Sequence, residues 1–198
     1  MKSAVMIGDS HSQIIFPLLK DKLNLNYKEI ISKPGWGIRK YMNENIIESL
    51  PEADVVIVSL GGNNFEMTPT AYGEEVQRFL DLLKTKFKRV VWIGPFYSDD
   101  QSVNFRHART NVLLKLDLPI SVGYIETYKL SKPLTRRDQV HFTRDGYKEI
   151  VSLIEKKAQA LTGGSFPRVW ISHPKFLIPM GLAVTFFTLG IFSGDKDG

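Results

Sequence analysis

The chain has 198 residues, 43% of them apolar and 24% charged, with a formal net charge of +5. That is long enough for one domain with a sizeable core and short for two, and the basic excess is too diffuse to indicate nucleic-acid binding. With no cysteine in the chain, disulfides and cysteine-ligated zinc are excluded.

The opening stretch "MKSAVMIGDS" holds one lysine and few apolar residues before Gly8 and Asp9. A cleaved secretory signal needs a longer apolar run, so the reading is a protein made in the cytoplasm without a signal peptide. Residues 4–7 form a short apolar run that predicts a buried strand. Residues 13–22 carry apolar side chains at helical spacing, with Pro17 placed near the first turn. A second strand is read over 27–31, stopped by "KPGWG", and a helix over 39–50. "DVVIVSL", residues 54–60, is β-branched and almost continuously apolar, as a central parallel strand should be. A long helix follows over 70–87, then a strand over 89–93 closed by "GP". A helix over 103–116, a short strand over 122–126 and a closing helix over 146–161 complete the series.

Strands separated by helices imply crossover connections, hence a parallel sheet with helices on both faces. Such sheets bind ligands outside the carboxyl ends of their strands. "GDSHS", "PGWGI", "GGNNF" and "GPFYSDD" follow the first four strands and are expected on that one edge. The domain division read from the chain is 1–161 for the α/β domain, 162–175 for a linker opening with "TGGSFP", 176–192 for an apolar helix and 193–198 for a polar tail.

Ser10 ends the first strand's turn, at the start of a helix, where its own backbone N–H and the helix dipole favour negative charge. A serine hydroxyl needs a base, a partner for that base, and donors for the oxyanion that forms. Of the four histidines, His141 stands in "RRDQVHFTRDGY" three residues after Asp138, a spacing that lets a tight turn bring carboxylate to imidazole. Gly37 offers an unobstructed backbone N–H and Asn63 a side-chain amide. His11 is read as a first-turn helix residue, His107 as part of a solvated helix face, and Asp9 as a brace of the turn. Arg136 and Arg137 are read as a solvated pair. Trp36 and Tyr97 either stack on a sugar ring or cover the core. No cluster of His, Asp or Glu has metal-ligand spacing, and no cofactor is called for.

These blocks, in this order, resemble the SGNH (GDSL-like) hydrolases over about residues 3–160. "GDSHS" resembles the first block with Ser10, "GWG" the second with Gly37, "GGNN" the third with Asn63, and "DQVHFTRDGY" the fifth with Asp138 and His141. The resemblance implies a flavodoxin-like three-layer α/β/α fold. It also implies a serine esterase or deacylase, with Ser10, Asp138 and His141 catalytic and Gly37 and Asn63 holding the oxyanion. In the family the third block usually ends in aspartate, whereas this chain has Asn64, and the second block could donate through Gly35 instead. The Ser-His pair of the first block resembles carbohydrate acyl-transfer domains, so the expected substrate is an acylated, above all acetylated, cell-envelope carbohydrate or another ester.

"FLIPMGLAVTFFTLGIF", residues 176–192, carries no charge. A membrane helix takes ~20 residues, with a lower limit near 17, so this segment is read as spanning a membrane or docking on neighbouring protein chains in a homo-oligomer or larger assembly. Arg168 and Lys175 before it would keep the α/β domain on the cytoplasmic side. The alternative to an enzyme is a structural or membrane-active assembly protein, for example of a bacteriophage virion, that keeps the fold and works through its tail.

Overall fold

The computed structural model describes residues 1–64 and 67–163. The apolar segment 176–192, the tail 193–198 and all of the linker beyond residue 163 lie outside the described residues. Five strands run in one parallel sheet: β1 (Lys2–Gly8), β2 (Leu25–Ser32), β3 (Ala53–Ser59), β4 (Phe87–Ile93) and β5 (Gly123–Ile125). Their spatial order is β2-β1-β3-β4-β5, the doubly wound order whose reversal between β1 and β3 leaves a crevice at the carboxyl edge.

Side-chain alternation along each strand builds two cores. Val5, Ile7, Val56, Val58, Val90 and Trp92 face one layer of helices; Met6, Val55, Ile57, Val91 and Ile93 face the other. The second layer consists of α1 (Ser12–Lys20) and α6 (Arg144–Gly163), which contribute Ile15, Phe16, Leu19, Tyr147, Ile150 and Ile154. The first holds α2 (Ile38–Asn43), α3 (Ile46–Ser49), α4 (Pro69–Lys86) and α5 (Gln101–Asp117), packed through residues such as Tyr41, Phe79, Leu83 and Leu114. This is the three-layer α/β/α arrangement expected from the alternation of elements.

Several local features differ from the sequence reading. The helix expected over 39–50 is two short helices, because Asn45 takes a left-handed conformation with φ 52°, which asparagine tolerates better than most residues. Pro17 is the sixth residue of α1 rather than a first-turn residue, and the helix continues past it on the buried side chains of Ile15, Phe16 and Leu19. Phe87 opens β4 directly after α4 instead of closing the helix. The closing helix runs to Gly163, so Thr162 and Gly163 belong to α6 and not to the linker; Thr162 is buried and its hydroxyl donates to the Ala158 carbonyl. The helix α5 inverts the usual pattern. It buries His107, Thr110 and Asn111 beside Leu114, while Phe105, Val112 and Leu116 are exposed.

The carboxyl ends of the strands meet at one edge. The Asp9 N–H reaches the Ser59 carbonyl at 3.2 Å, the Lys33 N–H reaches Gly8 at 2.9 Å, and the Gly94 N–H reaches Ile125 at 2.9 Å, tying the turns after β1, β2 and β4 to neighbouring strand ends. At Gly8 the chain turns back on itself so tightly that a Cβ there would lie 2.5 Å from Ser12 Cβ and 3.0 Å from the Ser59 carbonyl oxygen. The neighbours are a short side chain and backbone, and neither can yield. Gly8→Ala should therefore cost about 1–3 kcal/mol or more by overpacking, read as a lowered urea midpoint at unchanged slope.

Candidate active site

Ser10 lies between β1 and α1 and is half-buried. It is not the helix cap: that position belongs to His11, whose side chain makes no capping bond. The turn is fixed from beneath. Ser12 Oγ donates to the Asp9 carbonyl at 2.6 Å and lies 2.7 Å from Ser32 Oγ, and Asp9 Oδ1 accepts the His11 N–H at 3.1 Å. With the turn so fixed, Ser10 directs its hydroxyl to the far end of the domain sequence. Ser10 Oγ stands 3.0 Å from His141 Nε2.

The other face of the His141 ring meets Asp138, with Nδ1 3.2 Å from Oδ2. The second carboxylate oxygen accepts the backbone N–H groups of His141 at 2.6 Å and Val140 at 2.8 Å. Those bonds, the His141 N–H first, hold the Asp138 pKa down to about 2. An ionised Asp138 favours a proton on Nδ1 and leaves Nε2 as an acceptor for the serine hydroxyl.

What positions His141 is a residue that the sequence reading placed in solvent. Arg136 pairs with Phe142 across a short antiparallel bridge, and its side chain is only 6% exposed. Its guanidinium donates to the carbonyls of Leu134 at 3.0 Å, Ser131 at 2.9 Å and Tyr97 at 3.2 Å, and lies over the Phe142 ring. Arg137, the other half of the expected solvated pair, is 65% exposed and stands 3.5 Å from Asp138 Oδ2. The loop tip is held separately: the Gln139 carbonyl accepts the N–H of Asp99 and the hydroxyl of Ser98, both at 2.8 Å. Tyr97 packs on Tyr128 and beneath Arg136, so it forms part of this support.

His107 also departs from its reading. It is buried, with Nδ1 2.6 Å from the Phe96 carbonyl. Its Nε2 abuts Gly62 so closely that a Cβ there would lie 2.8 Å away. Burial lowers its pKa, so it serves as an uncharged strut between α5 and the "GGNN" turn. His11 likewise lies buried behind the site. Its ring centroid is 5.1 Å from that of His141, and its Nδ1 is 3.0 Å from the Tyr147 hydroxyl. Burial, the largest cause, pushes its pKa well below the ordinary range, so it presents a neutral ring to His141. Adjacency to Ser10 was the one sequence signal for His11.

Gly37 and Asn63 come together between the turns after β2 and β3. Gly37 precedes α2, and a Cβ there would meet Asn64 Oδ1 at 2.8 Å and the Asn63 carbonyl oxygen at 2.9 Å. The Asn63 amide donates one N–H to the Trp36 carbonyl at 3.3 Å, and an amide nitrogen carries a second. Gly35, the alternative donor, has φ +73° and open space around it, as a turn glycine would. Trp36 is packed edge-on against Tyr41, with Lys40 Nζ 4.8 Å from its ring centroid. An open groove of about 500 Å³ borders Gly37, Asn63, Lys40 and Met67.

No protein-family model matches the chain, and no curated protein matches it. Solved structures do. The C-terminal catalytic domain of peptidoglycan O-acetyltransferase A from Streptococcus pneumoniae, determined with a methylsulfonyl adduct, is 16% identical at a TM-score of 0.61, over 80% of this chain and 93% of that one. An acetylxylan esterase from Geobacillus stearothermophilus is 15% identical at a TM-score of 0.61, over 85% and 96%. An aryl esterase from M. smegmatis is 13% identical at a TM-score of 0.59, over 81% and 100%. At these identities the likeness is one of fold: the chain has the α/β/α fold of the SGNH hydrolases.

Asp9 is the buried acid of the site, and burial raises its pKa from 3.8 to about 7. Because the folded pKa lies above the unfolded one, the folded state holds more protons in between. Stability is therefore lost as pH rises from about 4 to 7 and is flat above that. Asp9→Asn keeps an acceptor for the His11 N–H and removes the titration. Its urea-derived stability should gain on the parent across that window by a few kcal/mol, about 4 at most.

Proposed function

We propose that the protein is a serine esterase or deacylase that removes acyl groups, acetyl foremost, from a carbohydrate of a cell envelope. The observation that carries this reading is the chain of contacts from Ser10 Oγ through His141 to Asp138, at 3.0 and 3.2 Å, at the carboxyl edge of the sheet. Ser10 Oγ attacks the acyl carbonyl while His141 Nε2 takes its proton, and Asp138 stabilises the imidazolium. The tetrahedral oxyanion is held by the N–H groups of Ser10 and Gly37 and the second N–H of Asn63. Collapse expels the sugar oxygen, protonated by His141, and leaves an acyl-serine. Water, deprotonated by His141, then releases the acid and restores Ser10. Transfer to a second sugar hydroxyl would use the same steps with that hydroxyl in place of water.

The preference for acetyl groups on carbohydrate draws on what two of the similar structures are named for, a peptidoglycan O-acetyltransferase and an acetylxylan esterase. The assembly-protein alternative rests on the apolar segment 176–192, which we propose as a membrane or inter-chain contact. In liposome flotation, the full chain should rise with vesicles if the segment inserts, and stay down with a raised oligomeric mass if it docks on protein.

The enzymatic reading is tested with the full chain and an aryl acetate. Ser10→Ala should abolish turnover, by about 10³-fold or more, with circular dichroism unchanged. Asn63→Ala should lower kcat by about 10²-fold. A folded Ser10→Ala protein that hydrolyses the ester at the parent rate would mean another nucleophile.

A further inference from the structure

Behind the Gly37–Asn63 side of the crevice sits a carboxylate that the proposed chemistry does not use. Glu75 is on α4 and is fully buried. One of its oxygens is 3.1 Å from Arg39 Nε of α2; the other is 3.5 Å from the Asn64 side-chain nitrogen. Asn64 Oδ1 turns the opposite way, accepts the Ile38 N–H at 3.3 Å and lies against Gly37. The contacts close a ring, from Ile38 to Asn64 to Glu75 to Arg39 and back along α2 to Ile38. Neighbouring Asn63 bonds the Trp36 carbonyl, so both asparagines of "GGNN" fasten the segment that carries Gly37.

We infer that Glu75 is a positioning residue for the oxyanion side of the site: it fixes Asn64 in the one orientation that holds Gly37 against Asn63, and so requires an amide at position 64. The inference rests on the proposed esterase reading. An ionised carboxylate only accepts hydrogen bonds, whereas an amide donates on one side and accepts on the other. With Glu75 as acceptor on one side and the Ile38 N–H as donor on the other, only one amide orientation satisfies both. An aspartate at this position would accept from Ile38 equally well but would set a second negative oxygen against Glu75. Two guanidiniums of α5, Arg106 and Arg109, border the same cleft; Arg109 donates to the Met67 carbonyl, while Arg39 and Asn64 lie within hydrogen-bond distance of the Glu75 carboxylate. Burying a carboxylate whose partner Arg39 is itself 62% exposed is a poor way to gain stability over an apolar residue; holding an amide is a use that an apolar residue cannot fill. On this account the asparagine where the third block of the resembling family usually has aspartate is one half of a matched pair, and leaves the site intact.

The test is a double-mutant cycle on the full chain with an aryl acetate as substrate, and with urea unfolding of each variant. Asn64→Asp should lower kcat by about tenfold or more while KM moves less than about threefold, because the loss is of transition-state contacts. Glu75→Gln alone should also lower kcat, because its amide cannot serve Arg39 and Asn64 as the carboxylate does. Asn64→Asp with Glu75→Gln together should return kcat to within about threefold of the parent, since the pair then meets again as donor and acceptor with the roles exchanged, the new amide on α4 donating to the new carboxylate. An active Asn64→Asp protein at parental kcat, or a double variant no better than the singles, overturns the inference. So does recovery of the urea midpoint without recovery of kcat, which would make the pair merely structural. If the parent itself shows no Ser10-dependent turnover, the esterase reading fails first and takes the positioning role with it.

Discussion

The architecture of the crevice depends on one close approach. The backbone of Gly8 passes within reach of Ser12 and of the Ser59 carbonyl, which is what lets the chain leave β1 and enter α1 within a few residues. Ser10 is the apex of that turn. Because β1 is an interior strand of a parallel sheet, flanked by β2 and β3, the apex stands where the turns after β2 and β3 also open. Replace Gly8 with any side chain and either the Ser12 brace or the link to Ser59 must give way. The placement of the Ser10 hydroxyl is thus set by backbone packing that has no chemistry of its own.

Around that apex the molecule separates two tasks. One wall carries His141 on a loop held through Arg136, whose guanidinium donates to the carbonyls of Tyr97, Ser131, Lys132 and Leu134 and pairs with the Asp99 carboxylate, and through the loop's own Gln139 carbonyl, which accepts from the 98–100 segment. The imidazole is thereby oriented without a charged neighbour other than Asp138 in bonding contact. The other wall carries Gly37 and Asn63, and it is stiffened by the buried Glu75 and by the uncharged His107 behind Gly62.

The strands were legible because their signal is local: runs such as "RVVWI" are apolar whatever surrounds them, and the block "GDSHS" starts at the end of β1, while "GWG", "GGNN" and "DQVHF" lie in turns and loops. The parallel α/β fold followed from that alternation. The helices' inner faces were less legible. In α5 His107, Thr110 and Asn111 are buried beside Leu114, with His107 against the Phe96 carbonyl and Asn111 against the Tyr124 hydroxyl, while Phe105, Val112 and Leu116 face out, so periodicity pointed the wrong way at His107. Arg136 looked like half of an exposed pair because its partners lie at Ser131, Leu134 and Tyr97, none of them marked by sequence. The continuation of α1 through Pro17 is likewise a decision of packing, made against the local propensity.

The central claim is that Ser10 is an activated nucleophile and that His141 activates it. Treating the full chain with a small sulfonyl fluoride and locating the adduct by peptide mass mapping addresses both halves at once, because sulfonylation needs a deprotonated hydroxyl and an oxyanion site but no knowledge of the natural substrate. The account predicts a single stoichiometric adduct on Ser10 that is lost in His141→Ala. An adduct on another serine, or labelling of Ser10 that does not depend on His141, would contradict it.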